Sequence, residues 1–173
     1  MPEYRAVRAR TGFLELCKTP SLAAEVTVTA AERLGVDAAI IFADILLILE
    51  PMGIDLEFAG GEGPVIHNPV RQGSDLKRLR EVDDVAPIEF VFEAIRQTRS
   101  ALRPNLPLIG FSGAPFTLAS YMVEGGGSKN YIHTKKLIYN DPGAWHGMMS
   151  LISRALVNYL NAQITAGAQA VQL

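Results

Sequence analysis

The sequence predicts an α/β fold in which parallel strands are covered by outer helices and form part of a barrel. Three observations carry that prediction. Val36 to Leu47 is a run of small and branched apolar residues with two carboxylates, Asp37 near its start and Asp44 toward its end. A strand apolar on both faces belongs in a parallel sheet with helices on either side. The run is entered from a helix through Gly35, and Gly167 enters Ala168-Gln169-Ala170-Val171-Gln172-Leu173 in the same way. A glycine cap feeding a small apolar strand, twice, is the pattern of repeated β/α units joined by right-handed crossovers.

The elements follow in order. The first residues read as an arm, or as the tail of an element that began earlier, and their arginines Arg5, Arg8 and Arg10 are too sparse for a nucleic-acid patch. Thr19-Pro20 is a helix start, with Thr19 as N-cap and Pro20 at the first helical position. Leu22, Val26, Ala30 and Leu34 follow at helical spacing, and Gly35 ends the helix. Ile54 to Phe58 leads into Gly60-Gly61-Glu62-Gly63-Pro64, a short hairpin-like excursion. Those glycines match neither phosphate-loop spacing and read as a flexible surface loop. Asp75 to Arg80 reads as a charged helical turn. Asp84 to Leu102 reads as a helix with Phe90, Val91, Ala94, Ile95, Thr98 and Leu102 as its apolar stripe, stopped by Pro104.

Leu106 to Phe111 reads as the next strand. A small-residue turn leads from it into a helix from Pro115 to about Glu124, ended by Gly125-Gly126-Gly127. Tyr131 to Tyr139 is a further short helix. Asp141-Pro142 opens the longest, with Trp145, Met149, Ile152, Leu156, Tyr159 and Ile164 on its apolar face and Gly167 at its end. No helix follows the last strand. The expectation is therefore a single domain over 1–173, the first part of an incomplete barrel.

Composition narrows the function. At 173 residues the chain is long enough for one domain with a real core. A formal net charge of −2 implies no general attraction to nucleic acid or to an anionic membrane. No apolar run is long enough to span a bilayer, and the charged N-terminus lacks the apolar core of a secretory signal. Cys17 is the one cysteine, which excludes an intrachain disulfide and a cysteine metal site and fits a reducing cytoplasm. In its apolar stretch it reads as a packed thiol. His67, His133 and His146 are scattered without metal-ligand spacing, so no metal is expected. Gly110-Phe111-Ser112-Gly113 has the wrong spacing for a nucleophile elbow.

Two residues stand out for chemistry. Asp44 sits where the strand should end, and ligands of parallel α/β sheets bind beyond the carboxyl ends of the strands. A carboxylate buried there needs a partner; the plainer alternative is a helix N-cap or turn aspartate. Tyr121, in the helix after the second core strand, is either a core tyrosine with one hydrogen-bond partner or a residue reaching the same strand-end cleft.

A resemblance extends these readings. Gly110 to Gly125 contains Phe111-Ser112-Gly113-Ala114-Pro115 and Ser120-Tyr121-Met122-Val123-Glu124, and throughout it resembles the second signature segment of the uroporphyrinogen decarboxylases. Pro2-Glu3-Tyr4-Arg5, the strand from Ala38 to Leu46, Gly63-Pro64 and Gly167 to Leu173 are similar to that family too. The resemblance implies a (β/α)8 TIM barrel, a homodimer and no cofactor. It implies removal of carbon dioxide from the four acetate side chains of uroporphyrinogen III, giving coproporphyrinogen III in haem and chlorophyll synthesis. By the same resemblance Asp44 accepts hydrogen bonds from the pyrrole N–H groups, and Tyr121 orients that aspartate or the substrate. Phe111 is an apolar wall of the cleft, and Arg8 suits a substrate carboxylate. The family's arginine-rich Arg-Gln-Ala-Gly-Arg-Tyr-Leu segment is missing before Pro2, as is its later half. The chain as it stands is therefore expected to be inactive alone. The alternatives are the corrinoid-dependent methyltransferase branch of the same barrel and a non-catalytic porphyrinogen-binding remnant.

Overall fold

The computed structural model describes residues 1–59 and 63–173; of the expected surface loop, Gly60, Gly61 and Glu62 lie outside the described residues. In chain order the elements are α1 (Pro2–Arg8), α2 (Phe13–Lys18), α3 (Pro20–Leu34), β1 (Ala39–Ile40), β2 (Leu56–Ala59), β3 (Gly63–Ile66), α4 (Glu89–Ala101), β4 (Leu108–Phe111), α5 (Pro115–Glu124), α6 (Ile132–Asn140), α7 (Pro142–Ala166) and β5 (Ala170–Gln172). Short 3-10 turns lie at Leu47–Leu49, Gly73–Arg78 and Ala86–Ile88. The chain forms two compact units: Met1–Ile45, Ala86–Ser112 and Tyr159–Leu173 make the first, and Leu46–Val85 and Gly113–Asn158 the second.

The first unit carries the parallel sheet, in the order β1-β4-β5. Ala39 stands opposite Leu108, and Ile109 opposite Ala170. All pairs are parallel, so each connection is a crossover, as the repeated glycine-to-strand pattern required. Gly35 closes α3 in the left-handed region at φ 60°, a conformation that glycine adopts without a Cβ penalty. Gly167 likewise precedes β5 at φ 120°.

Three expectations about this unit need correction. β1 is far shorter than the apolar run. Ile41 N–H still reaches the carbonyl of Ile109 (3.0 Å), but Phe42 N–H turns to Thr27 Oγ1 on α3 (2.9 Å). The rest of the run goes into Leu47–Leu49, all buried. A continuous apolar run specifies burial and leaves the backbone conformation open. Next, α3 buries Ala23, Ala24, Val26, Thr27 and Ala31, while Leu34 is 66% exposed. The small residues form the contact face because they let neighbouring backbone approach closely. Third, Thr19 precedes α3 without a side-chain cap. Its hydroxyl donates to the carbonyl of Glu15 (2.7 Å), because Phe13–Lys18 is itself helical and offers that acceptor.

The second unit pairs β2 with β3 as an antiparallel hairpin, Leu56 opposite Ile66. The hairpin and the chain after it are tied to α5: Ile66 N–H donates to Gly125 O and Val70 N–H to Met122 O, both at 2.9 Å. Asp141 caps α7, accepting from Ala144 N–H (3.0 Å). Along α7, Met148 rather than Met149 is fully buried, and Ile164 is 50% exposed while Gln163 is fully buried. In α4, Phe92 is buried where the expected stripe had Phe90.

Candidate active site

β1 delivers the chain to Asp44. Once Phe42 leaves the ladder for Thr27, whose own hydroxyl donates to the carbonyl of Ala23 (2.7 Å), the backbone runs free of the sheet. Asp44 follows two residues later, half-buried, beyond the carboxyl end of the strand. That is where parallel α/β architecture places ligands.

Phe42 also anchors an aromatic group. Its ring centroid lies 5.7 Å from Tyr4 and 6.1 Å from Phe13. The Arg8 guanidinium sits over Phe13, 5.6 Å from the ring centroid, and donates to the carbonyl of Thr11. An arginine held this way by a cation–π contact and one hydrogen bond keeps further N–H donors. Arg8 and Asp44 thus share the neighbourhood of Cys17. Burial pushes the Cys17 thiol up to about 12, the Asp44 charge pushes the same way, and the Arg8 and Lys18 charges oppose it. A thiol so far from ionisation packs rather than attacks.

Tyr159 on α7 is the neighbour of Asp44 that sequence reasoning placed only on an apolar face. It is buried, its ring 5.9 Å from Phe92. Burial foremost, then the Asp44 charge, holds its phenol well above the usual range. So Asp44, Cys17 and Tyr159 lie within electrostatic reach of one another, with the two hydroxyl- and thiol-bearing groups kept neutral.

Phe111 closes β4, half-buried. Gln163, fully buried on α7, clamps it: Phe111 N–H donates to Gln163 Oε1 and Gln163 Nε2 donates to Phe111 O, both at 2.9 Å. Sequence reasoning missed Gln163. The signal available was a glutamine one turn before the helix-ending Gly167, at a position where an apolar residue would be expected. Gly110 makes room for the clamp, since a Cβ there would stand 2.3 Å from Gln163 Oε1.

Tyr121 belongs to the second unit. It is half-buried on α5 and lines a cavity of about 280 Å³ with Phe116, Thr117, Ser120, Gly126, Gly127, Ser128 and Tyr131. Gly125 ends α5 at φ 85° and lets the chain turn into that wall. The Ser120 hydroxyl donates to the carbonyl of Thr117 (2.7 Å).

Of the histidines, His67 pairs with Glu57 across the hairpin (2.7 Å). Among the described residues no three of His, Cys, Asp and Glu gather as a metal site would require. Among them, too, no helix is long and apolar enough to cross a membrane.

The chain is 57% identical over 173 residues to the uroporphyrinogen decarboxylase of Carboxydothermus hydrogenoformans, covering 100% of this chain and 49% of that protein. It is 54% identical to that of Chloroflexus aurantiacus (100% of this chain, 48% of that protein) and 55% to that of Sorangium cellulosum (100% and 49%). The chain therefore spans about half the length of the curated relatives it matches. In fold it is similar to a methyltransferase from Methanosarcina mazei, with TM-score 0.68 at 22% identity over 91% of this chain and 46% of that one. The uroporphyrinogen decarboxylase family model matches residues 1–173, and the chain belongs to that family.

Proposed function

We propose that this chain forms the first part of the single (β/α)8 barrel of a cytoplasmic, homodimeric uroporphyrinogen decarboxylase that works without a cofactor. Its substrate is uroporphyrinogen III and its product coproporphyrinogen III. The observation that carries this reading is identity of 53–57% along the whole chain to proteins of that name. The likeness to a methyltransferase is at the level of fold and lends its chemistry no support.

The chemistry asks for an anion beneath a ring that becomes cationic. Protonation of a pyrrole carbon turns the ring into an electron sink. The bond from the acetate methylene to its carboxylate then breaks, carbon dioxide leaves, and the electron pair enters the ring. The exocyclic methylene takes up a proton as the ring returns its own, so each of the four decarboxylations consumes one proton and leaves a methyl group. Asp44 serves as the fixed anion, accepting from the pyrrole N–H groups and stabilising the cationic ring. Its place beyond β1 supports that role. Cys17 and Tyr159, held neutral beside it, add no competing charge. Phe111 is an apolar wall, fixed by Gln163. Arg8 offers its remaining donors to a substrate carboxylate, and Tyr121 orients Asp44 or the substrate.

The test is conversion of uroporphyrinogen III to coproporphyrinogen III by the complete protein that carries this segment, before and after Asp44→Ala. Turnover is expected to fall by about a hundredfold or more, as when a principal charge-stabilising group is removed. Tyr121→Phe, which removes one hydroxyl and leaves the ring, is expected to cost about tenfold. Near-normal turnover by a folded Asp44→Ala protein removes the proposed role.

A further inference from the structure

The cavity beside Tyr121 is built of more than Tyr121. Its walls carry the hydroxyls of Thr117, Ser128 and Tyr131, and no carboxylate among the described residues lines it. Tyr131 N–H donates to Ser128 Oγ (3.1 Å), which occupies that oxygen as an acceptor and leaves its proton to donate. Tyr131 is 36% exposed as a residue; its ring packs on Phe116 at 6.1 Å between centroids, and Phe116 packs on Trp145 at 6.0 Å. The aromatic wall is therefore braced by packed rings.

Tyr131 is also the one non-glycine residue at positive φ among the described residues, at 51°. A bulky side chain there is strained, and asparagine or glycine would avoid most of that strain. Packing alone does not call for the strained residue, since a residue this exposed stabilises little.

We infer that this cavity is a binding subsite for a carboxylate-bearing side chain of a large aromatic or pyrrolic ligand, with Tyr131 and Ser128 as contact residues beside Tyr121. The inference rests on the decarboxylase reading for the identity of the ligand, a polycarboxylated tetrapyrrole. The ring edge of Tyr131 meets the apolar body, and the hydroxyls of Ser128 and Tyr131 donate to the carboxylate.

The test is fluorescence titration of the complete protein that carries this segment with uroporphyrin, the stable oxidised macrocycle bearing the same eight carboxylates. Tyr131→Asn and Ser128→Ala are expected to weaken binding by about tenfold each, the loss of one hydrogen bond to a charged group. Tyr131→Asn should do so without lowering the thermal midpoint, because it also relieves the backbone. Tyr139→Asn, 82% exposed on the same helix and outside the cavity, should bind as the parent does. Three results overturn the inference: unchanged affinity in both cavity variants, equal weakening by Tyr139→Asn, or no binding by the unsubstituted complete protein. The decarboxylase reading stands or falls separately, on the turnover of the complete protein with and without Asp44.

Discussion

At the scale of single residues, the most consequential contact is one amide. Gln163 satisfies both backbone groups of Phe111 from within the core, and Gly110 is glycine because that amide stands where a Cβ would be. Replacing Gln163 with Leu strands a donor and an acceptor at the strand end. Urea unfolding should show a loss of about 2–4 kcal/mol, well above the cost of one exposed hydrogen bond. Gly110→Ala attacks the same clamp from the other side. It should be clearly less costly on a Gln163→Ala background than on the parent, a coupling of about 1–2 kcal/mol. Additive costs would mean that the two residues do not share the contact. Cys17 supplies a second residue-scale prediction, with its sign fixed by linkage. The native thiol holds its proton more tightly than the unfolded one, so its stabilisation is present in full below the ordinary thiol pKa of about 8.5 and is lost as pH rises toward about 12. Unfolding midpoints should therefore decline from about pH 9 upward in the parent, and less steeply in Cys17→Ala. Equal slopes would show that the thiol ionises alike in both states.

At the scale of elements, the punctuation of the chain was legible and the faces of its helices were less so. Gly35, Gly125 and Gly167 each end a helix at positive φ, and Pro20, Pro115 and Pro142 each open one. These signals are local: a missing Cβ or a fixed φ acts at its own position. Gly35 shows how purely local. A Cβ there would meet nothing within 4 Å, so Gly35→Ala should cost only its backbone strain at φ 60°, about 1 kcal/mol by thermal unfolding. A loss several times larger would point to a contact that the backbone geometry does not contain. The faces were misread where packing partners decide. Leu34 and Ile164 fit an apolar stripe by spacing yet point outward, while Ala23, Ala31 and Gln163 take the interior. Close approach selects small residues on α3, and a strand end needing two hydrogen bonds selects an amide on α7; neither need is written in hydrophobic periodicity. The strand ending near Asp44 was legible as an element, but its length was not, because Thr27 on another helix takes the Phe42 N–H. Of the candidate site, Asp44 beyond the strand end followed from position alone. Tyr159 and Cys17 beside it did not, since their approach depends on how α2 and α7 pack.

At the scale of the molecule, the sheet of the first unit has a face that decides between two contexts. Ile40 is 60% exposed; its partner across β1 and β4 is Ile109, and Ala170 on β5 follows in the same row. Side chains directly opposite in a ladder share a face. This row is therefore an apolar surface on the parallel sheet, and β1 and β5 each have one neighbour in it. Parallel sheets with an uncovered apolar face are rare, and uncovered strand edges favour self-pairing. The barrel proposal turns this row inward, where layers of branched side chains fill the interior. Ile40→Lys tests it, because the two contexts give opposite outcomes. In the 173-residue chain by itself a lysine at an exposed position should leave the unfolding midpoint nearly unchanged, within about 0.5 kcal/mol, and should reduce concentration-dependent self-association seen by light scattering. In the complete protein the same lysine would be an unpaired charge among barrel side chains, and should cost about 3 kcal/mol or more together with most of the turnover. A lysine tolerated equally in both would mean that this face stays in water, and the first three parallel strands would then belong to an open sheet and not to a barrel.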